Sequence, residues 1–477
     1  MNFLRLIHAE WTKFRTVRGW LIGVAAAAFV LIGIGILSAE GSRVVATGPG
    51  GGPRQVVTGP GGEPVRDDFT FVHRRLDGDG SLTVEVSPPA GVGAAVSPWA
   101  KAGIIVKNGT TPGSTYAAVL LTGAHGSRLQ YDYTGDIAGP TGARWLRLVR
   151  AGSTLTGYAS SDGTGWTRIG STRLTGLPAS TEIGMFVTSP PQDVYQERFG
   201  GGQGDVVRTT ATATFTGINL KGQTPAGDWR QDGGGAASVL RTAGGFTVTG
   251  QGNIAPIPPD GPGAIERTLV GTFGCLTVLI VLGTVFMTSE YRRRMIGTTF
   301  AASPQRGRVL AAKAIVLGGV AFVVGLAAAA VAVPWGRHIM IRNGLSVAPV
   351  PVGAEIRMLI GTAAVVAVTA VFALALGTLV RRSAGAIAGA VVLIVLPYLM
   401  ASAAVIPAGP ANWLLRVTPA AAFAVQQTIP IYRQIDSMRT PSLGYFPLSP
   451  AAGFAVLCAY AAVAFGFAVW ALRRRDV

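Results

Sequence analysis

The sequence predicts a polytopic α-helical membrane protein of six spans with an extracytoplasmic all-β sandwich inserted between spans one and two. Three observations carry this. Six stretches (20–37, 269–287, 314–333, 358–380, 384–406 and 451–472) contain no charged residue, and each is close to the ~20 residues a helix needs to cross about 30 Å of hydrocarbon. The long segment after the first stretch is instead built of short alternating runs between Gly, Asp and Asn turns, the pattern of a sandwich. Basic residues collect on one set of loops, as cytosolic loops do.

Composition agrees, since 49% hydrophobic and 13% charged residues in 477 lie outside the range of a soluble globular protein. The net charge of +17 resembles a nucleic-acid footprint until it is placed. Residues 39–263 hold 18 Lys/Arg and 17 Asp/Glu, which leaves 22 basic and 6 acidic residues for the membrane part. The charge follows the membrane, so no nucleic-acid partner is expected. Cys275 and Cys458 both fall in apolar spans, so the sandwich has no disulfide or cysteine metal site available.

Residues 1–19 place Phe3, Leu4, Ile7, Trp11 and Phe14 on one helical face and Arg5, Thr12 and Lys13 on the other, which suits a helix lying in the membrane interface. Span one follows at 20–37 and reads as an uncleaved anchor. Residues 38–64 open with TGPGGGP at 47–53 and repeat it as TGPGGEP at 58–64, a Gly/Pro composition that predicts a tether. The sandwich occupies 65–253, with strands expected at 81–86, 102–106, 144–149 and 154–158 and a hairpin at 160–170 turning on Asp162 and Gly163. A second tether runs over 254–268, around IAPIPPDGPG.

Between spans two and three lies a basic island, 288–313, where Arg292, Arg293, Arg294, Arg306, Arg308 and Lys313 stand against one acid, Glu290. By alternation from a cytosolic amino terminus, the loops on the island's side hold 15 Lys/Arg and the opposite short loops 7. This predicts a multi-pass protein of a bacterial plasma membrane with both termini and the island in the cytosol and the sandwich outside. Pro397 predicts a kink in span five. Residues 411–450 carry short amphipathic pieces and read as an external, re-entrant segment, and 473–477 form a cytosolic tail.

Two resemblances add to this. Residues 67–220, with WAKAGIIVKNG at 99–109, WLRLVRAGSTLTGYASSDGTGWTRIGS at 145–171 and ATATFTGINL at 211–220, resemble the concanavalin A-like modules attached to bacterial glycan-active enzymes. That implies a jelly-roll double sheet with capacity to bind cell-envelope glycan through Trp99, Tyr131, Tyr133, Trp145 or Trp166, each of which equally suits core packing. The acids Asp132, Asp136, Asp162 and Glu182 show no glycosidase spacing. HAEWTKFRTVRGW at 8–20 and TSEYRRRMIGTTFAASPQRGRVLAAK at 288–313, set in six spans, resemble the type 2 permease subunits of actinobacterial ABC transporters. That implies a coupling helix docked on an ATP-binding subunit through Glu290, Tyr291, Arg292, Arg294, Thr298, Thr299, Pro304 and Arg306, with a second permease, identical or different, completing the transporter. The inserted sandwich departs from the family's short first loop.

The sequence contains no G-x-x-x-x-G-K-[ST] phosphate loop, its histidines (His8, His73, His125 and His338) are scattered, and the span centres carry no charge. Catalysis, a cofactor, a metal and an ion-driven carrier are therefore not expected. Asn108-Gly-Thr110 matches a glycosylation sequon, which a surface turn explains equally. Two readings follow. One is a permease, an exporter, powered by a separate ATPase; the other is a membrane-anchored glycan-binding or envelope-sensing protein.

Overall fold

The computed structural model describes all residues except 1–2, 43–56, 94, 199–200, 226, 234–236, 258–263, 293–304, 346, 436–439 and 475–477, and side chains are not described over 193–206. Six helical segments are long and apolar enough to cross a membrane: Arg18–Gly41, Ile265–Arg292, Arg306–Arg342, Val352–Val380, Ser383–Ser402 and Pro450–Arg474. A large β-sandwich is inserted between the first and the second.

Helix α1 (Phe3–Thr16) buries a stripe of Leu6, Glu10 and Phe14 against the bundle and leaves Leu4 70% and Trp11 42% exposed. The expected single apolar face is thus two faces, one for protein and one for lipid, and the first carries an acid. Helix α2 (Arg18–Gly41) is the first span, α3 (Thr272–Arg292) the second, α4 (Arg306–Arg342) the third and α5 (Val352–Val380) the fourth. Helix α4 has 37 residues, about 55 Å at 1.5 Å per residue, so it outruns the hydrocarbon. Its far end is tied to the end of α2, where Arg342 pairs with Glu40 at 2.8 Å and the Asn343 amide donates to the Ala39 carbonyl at 3.2 Å.

The spans pack through small residues, as helices in lipid do. A Cβ on Gly283 of α3 would stand 2.8 Å from the Ala370 carbonyl oxygen of α5, and one on Gly377 of α5 would stand 3.0 Å from the Thr284 carbonyl oxygen of α3. The fifth span is broken as Pro397 predicts. Helix α6 (Ser383–Ala390) passes through a π turn at Val391–Val395 into α7 (Leu396–Ser402), because the missing proline N–H and the ring's bulk displace the regular ladder. After α8 (Ala408–Val417), a 3₁₀ segment, Pro419–Gln426, sinks wholly into the bundle, and Gln426 donates to the Thr272 and Thr362 hydroxyls at 2.9 and 3.2 Å. Helix α9 (Pro450–Arg474) closes the bundle.

In the sandwich one strand, Thr70–Val86, belongs to both sheets, turning near Gly78 (φ 73°). Its first half pairs with Ser180–Thr188, which continues through Lys101–Lys107, Tyr116–Thr122 and Ser127–Tyr131 to Gly135–Ala138. Its second half pairs with Trp145–Ala151 on one side, leading to Thr154–Ser160 and Thr167–Arg173, and with Ala211–Gln223 on the other. Alternation puts Leu82, Val84, Leu146, Leu148, Ile104, Val106, Ile183 and Met185 between the sheets.

Both tether expectations need correction. Residues 57–64 form a tight turn, with the Gly59 amide donating to the Glu63 carbonyl at 2.8 Å. Residues 253–256 form a strand antiparallel to Val65–Asp68, so this ribbon carries Val65 and Ile254 across the outer face of the first sheet. Gly and Pro here serve a turn, where composition alone reads as slack. The rest of the first tether, 43–56, lies outside the described residues.

Candidate functional site

The two flanks of the basic island are the last turn of α3 and the first turns of α4, and both lean on α1. Phe286 and Glu290 share a face of α3 by their four-residue spacing, and Glu10 and Phe14 share one on α1 in the same way, with Lys13 at its edge, three residues from Glu10. Lys313 enters between them. Its Nζ lies 2.6 Å from Glu290 Oε1, 2.8 Å from Glu10 Oε2 and 4.8 Å from the centre of the Phe286 ring. Lys13 closes the group from the rim, 3.2 Å from Glu10 Oε1 and 3.5 Å from Glu290 Oε1.

Two carboxylates thus meet two ammonium groups, so the site is formally neutral. The Lys313 and Glu10 side chains are each 1% exposed and Glu290 9%. Burying an ion costs several kcal/mol unless its partner is well placed, and here the partners come from three helices. The cluster fixes how α1, α3 and α4 lie relative to one another, and no rotation of one helix alone preserves every contact.

The structure revises the expected docking set. Glu290, expected to face a partner, is turned inward. Tyr291 is half-buried with the Arg381 guanidinium 5.1 Å from its ring centre, which ties α3 to the end of α5. Arg306 donates to the Leu472 carbonyl at 2.8 Å, which ties α4 to α9. Arg292 is exposed. Arg294, Thr298, Thr299 and Pro304 lie outside the described residues. Glu10, Lys13 and Lys313 were missed as site residues, and the available signal was Glu10 itself, an acid on the apolar side of a basic helix.

The candidate sugar contacts are also revised. Trp99 is 4% exposed and stacks on His125 at 4.0 Å, and Tyr133 is 1% exposed with its hydroxyl donating to Asp67 Oδ2 at 2.6 Å. Neither reaches a ligand, because the turn and ribbon of 57–68 cover Tyr133, and the His125 ring and Arg128 guanidinium cover Trp99. Tyr131 packs on the core, and Trp145 lies under Gly163 and Gly217, where a Cβ would meet the indole. Trp166 is half-buried with the Arg147 guanidinium 3.9 Å from its ring centre.

The candidate acids have structural uses. Asp136 accepts from Arg128 and Gln130 at 2.7 and 3.0 Å, and Asp132 accepts from Thr115. Asp162 accepts the Thr164 and Gly165 amides at 2.8 and 2.9 Å, bonds that hold its carboxyl well below the usual range. Glu182 lies 2.7 Å from His73 Nδ1, whose Nε2 is 3.1 Å from Asp232.

No family model and no curated protein matches the chain. Among solved structures, it is similar over 40% of its length to all of SCP-B, a member of the Eqolisin family of peptidases, at 9% identity and a TM-score of 0.24. It is similar over 39% of its length to 99% of a functionally unknown protein from Saccharomyces cerevisiae, at 15% identity and a TM-score of 0.21. It is also similar over 23% of its length to 24% of the GH43 protein BlXynB from Bacillus licheniformis, at 19% identity and a TM-score of 0.17. Likenesses this distant do not bear on activity.

Proposed function

We propose that this chain is the membrane-spanning permease subunit of an ABC transporter, an exporter of the bacterial plasma membrane powered by a separate ATP-binding subunit that docks at the basic island. The observation that supports the reading is the buried cluster of Glu10, Lys13, Glu290 and Lys313, 2.6 to 3.5 Å between paired atoms. A push delivered between the ends of α3 and α4 reaches both helices and α1 together, because the shared ions resist their separation. A protein whose spans only anchor a sandwich has no use for such a junction.

On this reading Arg292 contacts the ATPase, and Glu290 acts from inside as a positioning residue. The test is to search the neighbouring genes for a stand-alone ATP-binding subunit and to co-express it with this chain, measuring co-purification and ATP hydrolysis. Arg292→Glu is expected to weaken association about tenfold while leaving membrane insertion normal, since losing one charge-assisted pair costs on the order of 1.4 kcal/mol. The reading fails if no ATPase co-purifies, or if association ignores the reversed charge. The alternative, a membrane-anchored glycan-binding or envelope-sensing protein, retains Trp166 beside Arg147 as its accessible platform.

A further inference from the structure

At the island's end of the bundle, an open cavity of about 1050 Å³ lies where three helices terminate. Phe3 of α1, Gln305, Arg306 and Arg308 at the start of α4, and Val469 and Arg473 at the end of α9 line it. The described lining thus holds three arginines and no acid. Gly307 of α4 sits against α9 here, where a Cβ would stand 3.4 Å from Val469 Cγ1. Arg306 is anchored by its bond to the Leu472 carbonyl, and Arg308 and Arg473 are exposed. The N-cap residue of α4, Gln305, makes no side-chain capping bond, and the positive end of that helix adds to the field of the arginines.

The cavity has an apolar side as well. Phe3, Ala311 and Val469 form it, and Phe465, one turn before Val469, lies on the same face of α9. Leu4 and Trp11 are exposed on α1, the helix that contributes Phe3, and mark the level at which an amphipathic helix meets the bilayer surface. A cationic recess thus opens onto a lipid-facing wall. Guanidinium groups match phosphate oxygens two at a time, and basic recesses between spans are where phosphate headgroups settle.

We propose that this cavity binds the phosphate headgroup of an anionic phospholipid, with Arg308 and Arg473 holding the phosphodiester and the acyl chains lying along Val469 and Phe465. A free phosphate would use the arginines alone and gain nothing from the apolar wall, so the lipid is the favoured source.

The test uses the full chain purified in detergent, with native mass spectrometry reading retention of phosphatidylglycerol and phosphatidylcholine of identical acyl chains, and inorganic phosphate as competitor. Phosphatidylglycerol should be retained at least tenfold better. Arg308→Gln with Arg473→Gln should cut that preference about 30-fold at most, to near parity, at roughly a factor of five per basic residue. Arg308→Lys with Arg473→Lys should hold most of it, which guards against misfolding as the cause, and Arg416→Gln at the opposite end should change nothing. Equal retention of the two lipids, or an undiminished preference in the double glutamine variant, overturns the proposal. So does inorganic phosphate binding more tightly than the lipid, or a dependence on these arginines seen in ATPase association and not in lipid retention.

Discussion

Lys313 and Glu290 lie 2.6 Å apart at the meeting of α1, α3 and α4, and the same ammonium reaches Glu10 at 2.8 Å. Among the described residues, one lysine therefore balances two buried carboxylates with help from the half-exposed Lys13, and losing it strands both. Lys313→Met should destabilise the bundle by about 3–5 kcal/mol. Adding Glu10→Gln and Glu290→Gln should recover much of that loss, since neutral amides remove the charges left unpaired. Thermal unfolding in detergent reads the difference; losses that simply add across the three sites would show that the ions are not coupled.

The second prediction concerns sides. Both termini and Arg292 should face the cytosol and Asp162 the exterior, because the loops on the island's side hold 15 basic residues against 7 opposite. In a background lacking Cys275 and Cys458, an impermeant thiol reagent applied to intact cells should label Asp162→Cys and spare Arg292→Cys. The reverse pattern would invert the topology.

How much of this was legible in the sequence depends on what kind of signal each feature leaves. The spans and the sandwich leave periodic ones, and uncharged runs and alternation placed six helices and the strand core, with the ends of the third span, Arg306–Arg342, eight and nine residues beyond the uncharged run. The cluster leaves none, because Glu10 and Lys313 are 303 residues apart and only the fold brings them to 2.8 Å. Glu290 was legible as a lone acid among arginines, but sequence gives no direction for its side chain. Trp99 and Tyr133 misled for a related reason: both stand in turns, outside the strands whose alternation gives direction, and only the fold brings His125 against Trp99 and residues 57–68 over Tyr133.

That covering ribbon makes a third prediction. Val65–Asp68 pairs with Asn253–Pro256, and the Val65 amide donates to the Val57 carbonyl at 2.9 Å. A fragment of residues 57–257 keeps these bonds and should melt cooperatively with β-type circular dichroism. A fragment of 65–253 severs the ribbon, uncovering Phe71, Phe186 and Tyr116, and should melt at least 5 °C lower, the shift expected for about 2 kcal/mol in a domain of this size. Equal melting points would show the ribbon to be dispensable.

Lys101 supplies a pH signature. It is fully buried, its Nζ donates to the Ile254 carbonyl at 2.6 Å, and burial pushes its pKa down to about 7, opposed by the nearby Asp136 carboxylate. Between pH 7 and the ordinary lysine value of 10.5, the unfolded chain holds a proton that the folded one has released. Stability should therefore rise with pH across that window, by no more than about 1.4 kcal/mol per unit from this one group. Lys107, also pushed down by burial despite Asp67, adds in the same direction. Lys101→Met in the 57–257 fragment should raise stability at neutral pH and flatten the slope between pH 7 and 10. An unchanged slope would mean that Lys101 does not titrate there.

The last prediction joins the two halves of the molecule. Gln434, in the segment between the fifth and sixth spans, is 2% exposed and donates to the Tyr133 carbonyl of the sandwich at 2.6 Å. The Tyr133 hydroxyl donates to Asp67 Oδ2, which also accepts from Lys107 at 2.8 Å and from the Gly113 amide at 2.7 Å. The sandwich therefore meets the membrane bundle through a residue fixed by a buried ion pair, and the two contacts should fail differently. Gln434→Ala removes one hydrogen bond to a backbone carbonyl, a loss of about 1–3 kcal/mol confined to the junction. Hydrogen exchange should then quicken over 113–133 and 428–434 with the sandwich melt unchanged. Asp67→Asn leaves Lys107 buried without its counter-ion, at a cost of about 3–5 kcal/mol within the sandwich itself, and should lower the melt and quicken exchange on both sides of the junction. If Gln434→Ala lowers the sandwich melt as much as Asp67→Asn does, the junction is part of the sandwich's own stability. If neither changes exchange at 428–434, the sandwich and the bundle are not joined through Tyr133.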